Sequence, residues 1–316
     1  MRNRFIAILR GAMLLLFLAS VLLTSVAASL RLSVFNPAFY QGIARRPEYA
    51  TMVSNAIRSD LADQSRYVGI DFSYLSDGLD NNLVAVRIEM YYRNLVAVMT
   101  DGSAFQRVGY PQDPFYARMT EFIDVHAQEN GYTPSEEQYA LLQTVARDSA
   151  AIAARHINLV DMNDATVRKV SSLLLPPARR IAGWAVYLLL LSVLLAAAVA
   201  FLYRGQMDDA IRNIATMGWI AGVLIAVPAI VMEIFQFSSR IAIHTIYVRY
   251  FVDRLLSSIN GNAMTIGLCL FGISGITKIV LFLRRDGHRI IKLKRRRMTR
   301  HSDRIDSGFS EERKEI

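Results

Sequence analysis

With 316 residues, 53% of them hydrophobic and only 20% charged, the chain is too apolar for an ordinary water-soluble protein of its length. The formal net charge of +9 is unevenly spread: residues 31–180 hold 15 Lys/Arg against 17 Asp/Glu, while residues 284–300 hold 9 against 1. The single cysteine, Cys269, excludes an intrachain disulfide, so any soluble domain must rest on its own apolar core.

The first apolar run is Arg10–Leu30, preceded by Arg2 and Arg4. It exceeds the usual signal-peptide core of about 7–15 residues, so the expectation is an uncleaved anchor at 1–30. Ser25-Val26-Ala27-Ala28-Ser29 nevertheless offers small residues for a signal peptidase, and cleavage remains the alternative. Three further apolar runs follow at Ile181–Tyr203, Ile214–Phe235 and Ala263–Leu283. At about 1.5 Å per residue, each is long enough to cross a hydrocarbon layer of about 30 Å.

Residues 31–180 between the first two runs read as a helical domain. Tyr49, Val53, Ile57 and Leu61 mark one face of a helix that follows Pro47. Leu83, Ile88, Tyr91, Leu95 and Val98 line a second helix, ending at Asp101-Gly102, and Phe115, Met119, Phe122 and Ile123 a third, closed by Asn130-Gly131. Thr133-Pro134-Ser135-Glu136 reads as a capping box with proline at the first helical position. It opens a fourth helix through Leu141, Leu142, Val145 and Ile152. A fifth is expected over Asp161–Leu175, stopped by Pro176-Pro177. No strand pair with a hairpin turn appears.

The residues Asn36, Pro37, Phe39, Tyr40, Tyr49, Gly69 and Asn94 form a pattern. In it this stretch resembles uncharacterised membrane proteins of Gram-positive bacteria, with Ile70 in place of the usual leucine after the glycine. The resemblance covers roughly residues 31–100 and the order of spans. It implies an anchor, an extracytoplasmic helical domain and three later spans, and it brings no established activity.

Ser238–Ile259 is long for a simple turn. Ile241, Val248, Val252, Leu255 and Ile259 share one helical side, and Arg240, His244, Arg254 and Ser258 another. An amphipathic helix within 236–262 is expected, either lying in the membrane interface or packing on the soluble domain.

The basic tail at 284–316 carries Arg284, Arg285, Arg289, Lys292, Lys294, Arg295, Arg296, Arg297 and Arg300. Each such charge contributes about 1 kcal/mol of attraction to anionic lipid headgroups. Without interleaved aromatics the tail is a poor nucleic-acid surface. By the positive-inside rule it lies in the cytoplasm. With four spans the amino terminus is cytoplasmic too, and residues 31–180 are extracytoplasmic. Against this stand Arg179 and Arg180 beside the second span and Arg240, Arg249 and Arg254 in the outer loop.

Chemistry is sparse. No phosphate-binding glycine loop, nucleophile elbow or His-Glu-x-x-His occurs. His126 has Glu121, Asp124 and Glu129 for neighbours, which is better read as a solvated acidic face than as a metal site. Neither cofactor nor metal is expected. Arg10, Glu233 and Lys278 are the ionisable groups within the apolar runs, and each lies close enough to an end to snorkel. Pro228 can kink the third span, and Gly267, Gly272 and Gly275 favour close helix packing in the fourth.

The reading is therefore an all-α membrane protein: four transmembrane helices with a helical extracytoplasmic domain between the first and second. The three later spans occupy 181–283. The leading expectation is a non-enzymatic protein of the bacterial cell membrane whose outer domain binds an envelope protein or ligand. Its alternative is a transporter or channel component acting as a homo-oligomer, since four spans alone make a meagre pathway.

Overall fold

A computed structural model describes residues 2–160, 164–240 and 242–312. Eleven α-helices are present among them, and no strand. They are α1 (Arg2–Leu32), α2 (Pro37–Ala44), α3 (Pro47–Val68), α4 (Phe72–Asp77), α5 (Asn81–Asp101) and α6 (Asp113–Asn130). Then come α7 (Glu136–Ile157), α8 (Ala165–Gly183), α9 (Ala185–Leu202), α10 (Met207–Ile234) and α11 (Ile246–Glu312). Four stretches are helical, long and apolar enough to cross a membrane: Arg4–Ala44, Ala185–Leu202, Met207–Ile234 and Ile246–Arg284. Such a set suits a multi-pass membrane protein.

The chain forms two compact units. One gathers Met1–Val26, Val186–Ile230 and Ala263–Ile316, and is here the span unit. The other gathers Ala27–Ala185 and Val231–Asn262, and is the helical unit.

The core of the helical unit is built where the apolar spacing places it. On α3, Tyr49, Val53, Ile57 and Leu61 are buried. On α5 the buried face is Val84, Ile88, Tyr91, Tyr92, Leu95 and Met99. Gly69, Gly102 and Gly131 end α3, α5 and α6 in the left-handed conformation that glycine adopts without strain. The residues of the tyrosine-rich pattern hold this architecture together. Asn36 caps α2 by accepting from the Ala38 amide, with Pro37 opening the helix. Tyr40 donates to the Val34 carbonyl, Tyr92 to the Tyr49 hydroxyl at 2.9 Å, and Asn94 to the Gln106 carbonyl.

Several boundaries differ from the sequence reading. The capping box of α7 is Ser135 with Gln138, two residues later than Thr133 suggested, because Ser135 keeps the extended backbone a cap requires. Leu141 is exposed, and the buried stripe begins at Leu142. Helix α8 begins at Ala165 and runs through Pro176 and Pro177 to Gly183. The apolar run thought to begin at Ile181 therefore divides at Trp184, leaving an 18-residue α9. Residues 161–163, where the fifth helix was expected to start, lie outside the described residues. The amphipathic segment after α10 is not a separate helix. It is a short 3-10 turn (Phe237–Arg240) followed by the start of α11, which runs on without a break. Its buried face in the helical unit centres on Tyr247 and Phe251, while Val248, Val252 and Leu255 are only partly buried. Ile241 lies outside the described residues.

Small and hydroxylated side chains set the packing of the span unit. Ser20 and Ser192 hydroxyls meet at 2.7 Å between α1 and α9. Between α10 and α11, a methyl group on Gly222 would come within 2.6 Å of the Phe271 amide nitrogen, and one on Gly267 within 2.7 Å of the Ala226 amide nitrogen. Only backbones stripped of side chains approach so closely. Gly272 and Gly275 have nothing within 4 Å of such a methyl, so of Gly267, Gly272 and Gly275 only Gly267 makes a close helix contact.

Candidate functional site

Helix α8 is the most amphipathic of the helices, and its apolar stripe makes the site. Val167, Val170, Leu174 and Leu175 recur at helical spacing on one face. Facing them, Leu95 and Met99 from the end of α5 complete a cleft of about 400 Å³. That is within the usual size range for small-ligand pockets, about 300–1,000 Å³. The one polar side chain in the lining is Ser171, and its hydroxyl is spent on the Arg168 carbonyl at 3.0 Å. Val170 is 51% exposed and Leu174 58%, so the stripe is only half covered by its own protein.

One ionic anchor holds α8 across α5. Arg179, a turn beyond Leu175, donates from Nε to the Met99 carbonyl at 2.9 Å and from a terminal nitrogen to the Val98 carbonyl at 3.1 Å. These belong to the last turn of α5, which carries the negative end of the helix dipole; the Val98 carbonyl also accepts from the Gly102 amide at 3.2 Å. Gly102 makes room: a methyl there would lie 2.8 Å from the guanidinium, and its φ is +74°. The two prolines of α8 lack the amides that would bond to the Ser172 and Leu173 carbonyls. The helix nonetheless continues, with Arg179 fastening its far side.

A second polar group joins α3, α7 and the first turn of α11. Asp60 Oδ2 accepts from Arg155 at 2.6 Å and from His156 Nε2 at 2.9 Å. His156 Nδ1 lies 2.9 Å from the buried Tyr247 hydroxyl. A neutral ring with its proton on Nε2 satisfies both contacts, donating to the carboxylate and accepting from the phenol. Both ring nitrogens of His156 are engaged, one by Asp60 and one by Tyr247, so the group works as a clasp on α11.

The residues singled out from sequence are scattered. Glu233 accepts from Asn260 at 2.9 Å in the helical unit. Lys278 belongs to the span unit, with its ammonium 5.1 Å from the centre of the Trp219 ring. Arg10 does not snorkel freely. It caps α9 through the Leu202 carbonyl, at 2.8 and 3.2 Å, and lies 4.1 Å from the Tyr203 ring centre. Arg284 is 3.7 Å from Asp208. The side chains of Arg285, Arg289, Lys292, Lys294, Arg295, Arg296, Arg297 and Arg300 lie outside the described residues. His126 stacks on Phe122, Asp124 accepts from Tyr139 and Glu121 pairs with Arg118, so these groups do not converge. Among the described residues, no group of three or more metal-ligating side chains lies together.

Sequence reasoning missed the cleft, although the spacing of Val167, Val170 and Leu174 was visible. A helix was expected over these residues, but nothing local to it shows that its apolar face meets Leu95 and Met99 about 70 residues earlier in the chain. No family of known proteins, no curated protein and no solved structure matches this chain.

Proposed function

We propose that the protein is a non-enzymatic component of the bacterial cell membrane whose helical unit binds the hydrocarbon chain of an envelope lipid. In this reading both termini are cytoplasmic, as the basic 284–300 segment favours, and residues 31–180 are extracytoplasmic. The observation that carries the ligand class is the α5–α8 cleft, walled by aliphatic side chains with no free polar group. Such a wall rewards removal of apolar surface from water at about 25 cal/mol per Å² and penalises any polar occupant. Its position in the chain suits the ligand: α8 ends at Gly183 and the apolar α9 starts at Ala185.

The experiment is saturable binding of a fluorescent fatty-acyl probe to the full-length protein in nanodiscs. Val170→Asp and Leu174→Asp put charge on exposed wall positions that the fold does not need. They are expected to weaken probe binding roughly tenfold, the equivalent of about 1.4 kcal/mol, for a charge placed in an apolar wall. Unchanged binding in both variants would remove the lipid-chain assignment.

A further inference from the structure

The span unit holds a cavity of about 870 Å³, unrelated to the α5–α8 cleft. It opens between the first turns of α10 and the stretch of α11 around Lys278 and Arg284. Asp208, Arg212 and Thr216 follow one another at four-residue spacing, which puts them on one face of α10. Lys278 and Phe282 stand in the same relation on α11.

The charges do not balance. Arg212 is 2.8 Å from an Asp209 oxygen, and Arg284 is 3.7 Å from an Asp208 oxygen. Lys278 has no carboxylate at ion-pair distance among the described residues and rests against Trp219. One cation is therefore left over, in an otherwise apolar part of the helix. The amino-terminal turn of α10 adds the positive end of a 28-residue helix. With Arg212 and Arg284 set against the Asp209 and Asp208 carboxylates of the same lining, the Lys278 ammonium is the cation left to meet an anion, and the two guanidinium groups border it. Leu281 and Phe282 in the same wall suit an occupant that also carries hydrocarbon.

We propose that this cavity binds a phosphate-bearing anion, with Lys278 as its principal cation and Arg212 and Arg284 beside it. The phosphate can come from an anionic phospholipid headgroup or from free inorganic phosphate, and the two are separable.

Trp219 supplies the readout. A phosphate that draws the Lys278 ammonium away from the ring alters its fluorescence. In a Trp184→Phe background Trp219 is the one remaining tryptophan of the chain's two. The full-length protein is placed in phosphatidylcholine nanodiscs, in the same nanodiscs with phosphatidylglycerol added, and in phosphatidylcholine nanodiscs titrated with inorganic phosphate. A saturable change on adding phosphatidylglycerol alone assigns a lipid. A change with inorganic phosphate assigns the free anion as well. Either change is expected to persist in Lys278→Arg, to disappear in Lys278→Met, and to need about fivefold more ligand in Arg284→Gln. The Arg284→Gln variant leaves the Lys278–Trp219 reporter intact, so it decides the matter even where Lys278→Met fails to fold. No change with either phosphate source, or half-saturation unmoved in Arg284→Gln, overturns the proposal.

Discussion

Tyr49 and Tyr92 meet hydroxyl to hydroxyl at 2.9 Å, ringed by Tyr40, Tyr91, Tyr250 and Phe251. Burial holds the Tyr49 and Tyr92 phenols well above the ordinary value of 10.0, since an ionised phenolate there would lose its hydration. A pKa raised in the folded state gives stability that is complete below pH 10.0 and is lost as pH rises through the folded value. Tyrosinate absorbance of these two residues is therefore expected to appear together with loss of helical circular dichroism. Titration of all fourteen tyrosines below that transition would contradict it. The Asp60–His156–Tyr247 clasp makes a second prediction. Tyr247→Phe removes one buried hydrogen bond and is expected to cost about 1 kcal/mol, while His156→Ala leaves both Asp60 and Tyr247 short of a partner and costs about 2 kcal/mol or more. Thermal unfolding in detergent measures both. Tyr49 was legible from its four-residue spacing. Asp60 and His156 were not, because 96 residues separate them and only the folded chain brings them together.

Helix limits follow from local chemistry where a cap is present and from tertiary contact where it is not. The ends of α5 and α6 could be read from Asp101-Gly102 and Asn130-Gly131, since a left-handed glycine is a local requirement. Short α2 and α4, of eight and six residues, carry too little periodicity to be seen beforehand. The end of α8 could not be read either, because its course past Pro176-Pro177 depends on Arg179 reaching α5. Gly102→Ala is accordingly expected to destabilise the helical unit by about 1–2 kcal/mol through the left-handed backbone alone. It also pushes the Arg179 guanidinium off its carbonyls. Arg179→Ala should reproduce the second effect, raising amide exchange at the end of α5 and the start of α9 without altering α3. Equal protection in wild type and Arg179→Ala would show that α8 is held by its apolar stripe alone.

For the molecule as a whole, composition pointed to the four helices long and apolar enough to cross a membrane, while the division into units adds what composition could not. Val231–Asn262 joins the helical unit, and Tyr247 and Phe251 enter its core. The proposed topology is open to a direct test. In a Cys269→Ala background, Tyr132→Cys on the helical unit is expected to react with an impermeant thiol reagent added to intact cells, and Arg204→Cys only after lysis. The opposite pattern would invert the orientation. Helix pairing in the span unit is equally exposed to test: Gly222→Leu inserts a side chain where a methyl already comes within 2.6 Å of backbone, and should lower the melting temperature of that unit. The hydroxyl seam between α1 and α9 sets a requirement in time. Ser20 and Ser192 are 172 residues apart, which at about 5–20 residues per second leaves α1 without its partner for roughly 10–30 s during synthesis. Thr24 and Ser25 spend that interval satisfied, since their hydroxyls bond to the Ser20 and Val21 carbonyls of their own helix. Of the seam hydroxyls on the early helix, those of Thr24 and Ser25 can thus stay paired in the meantime, and Ser20 is the one that waits for α9.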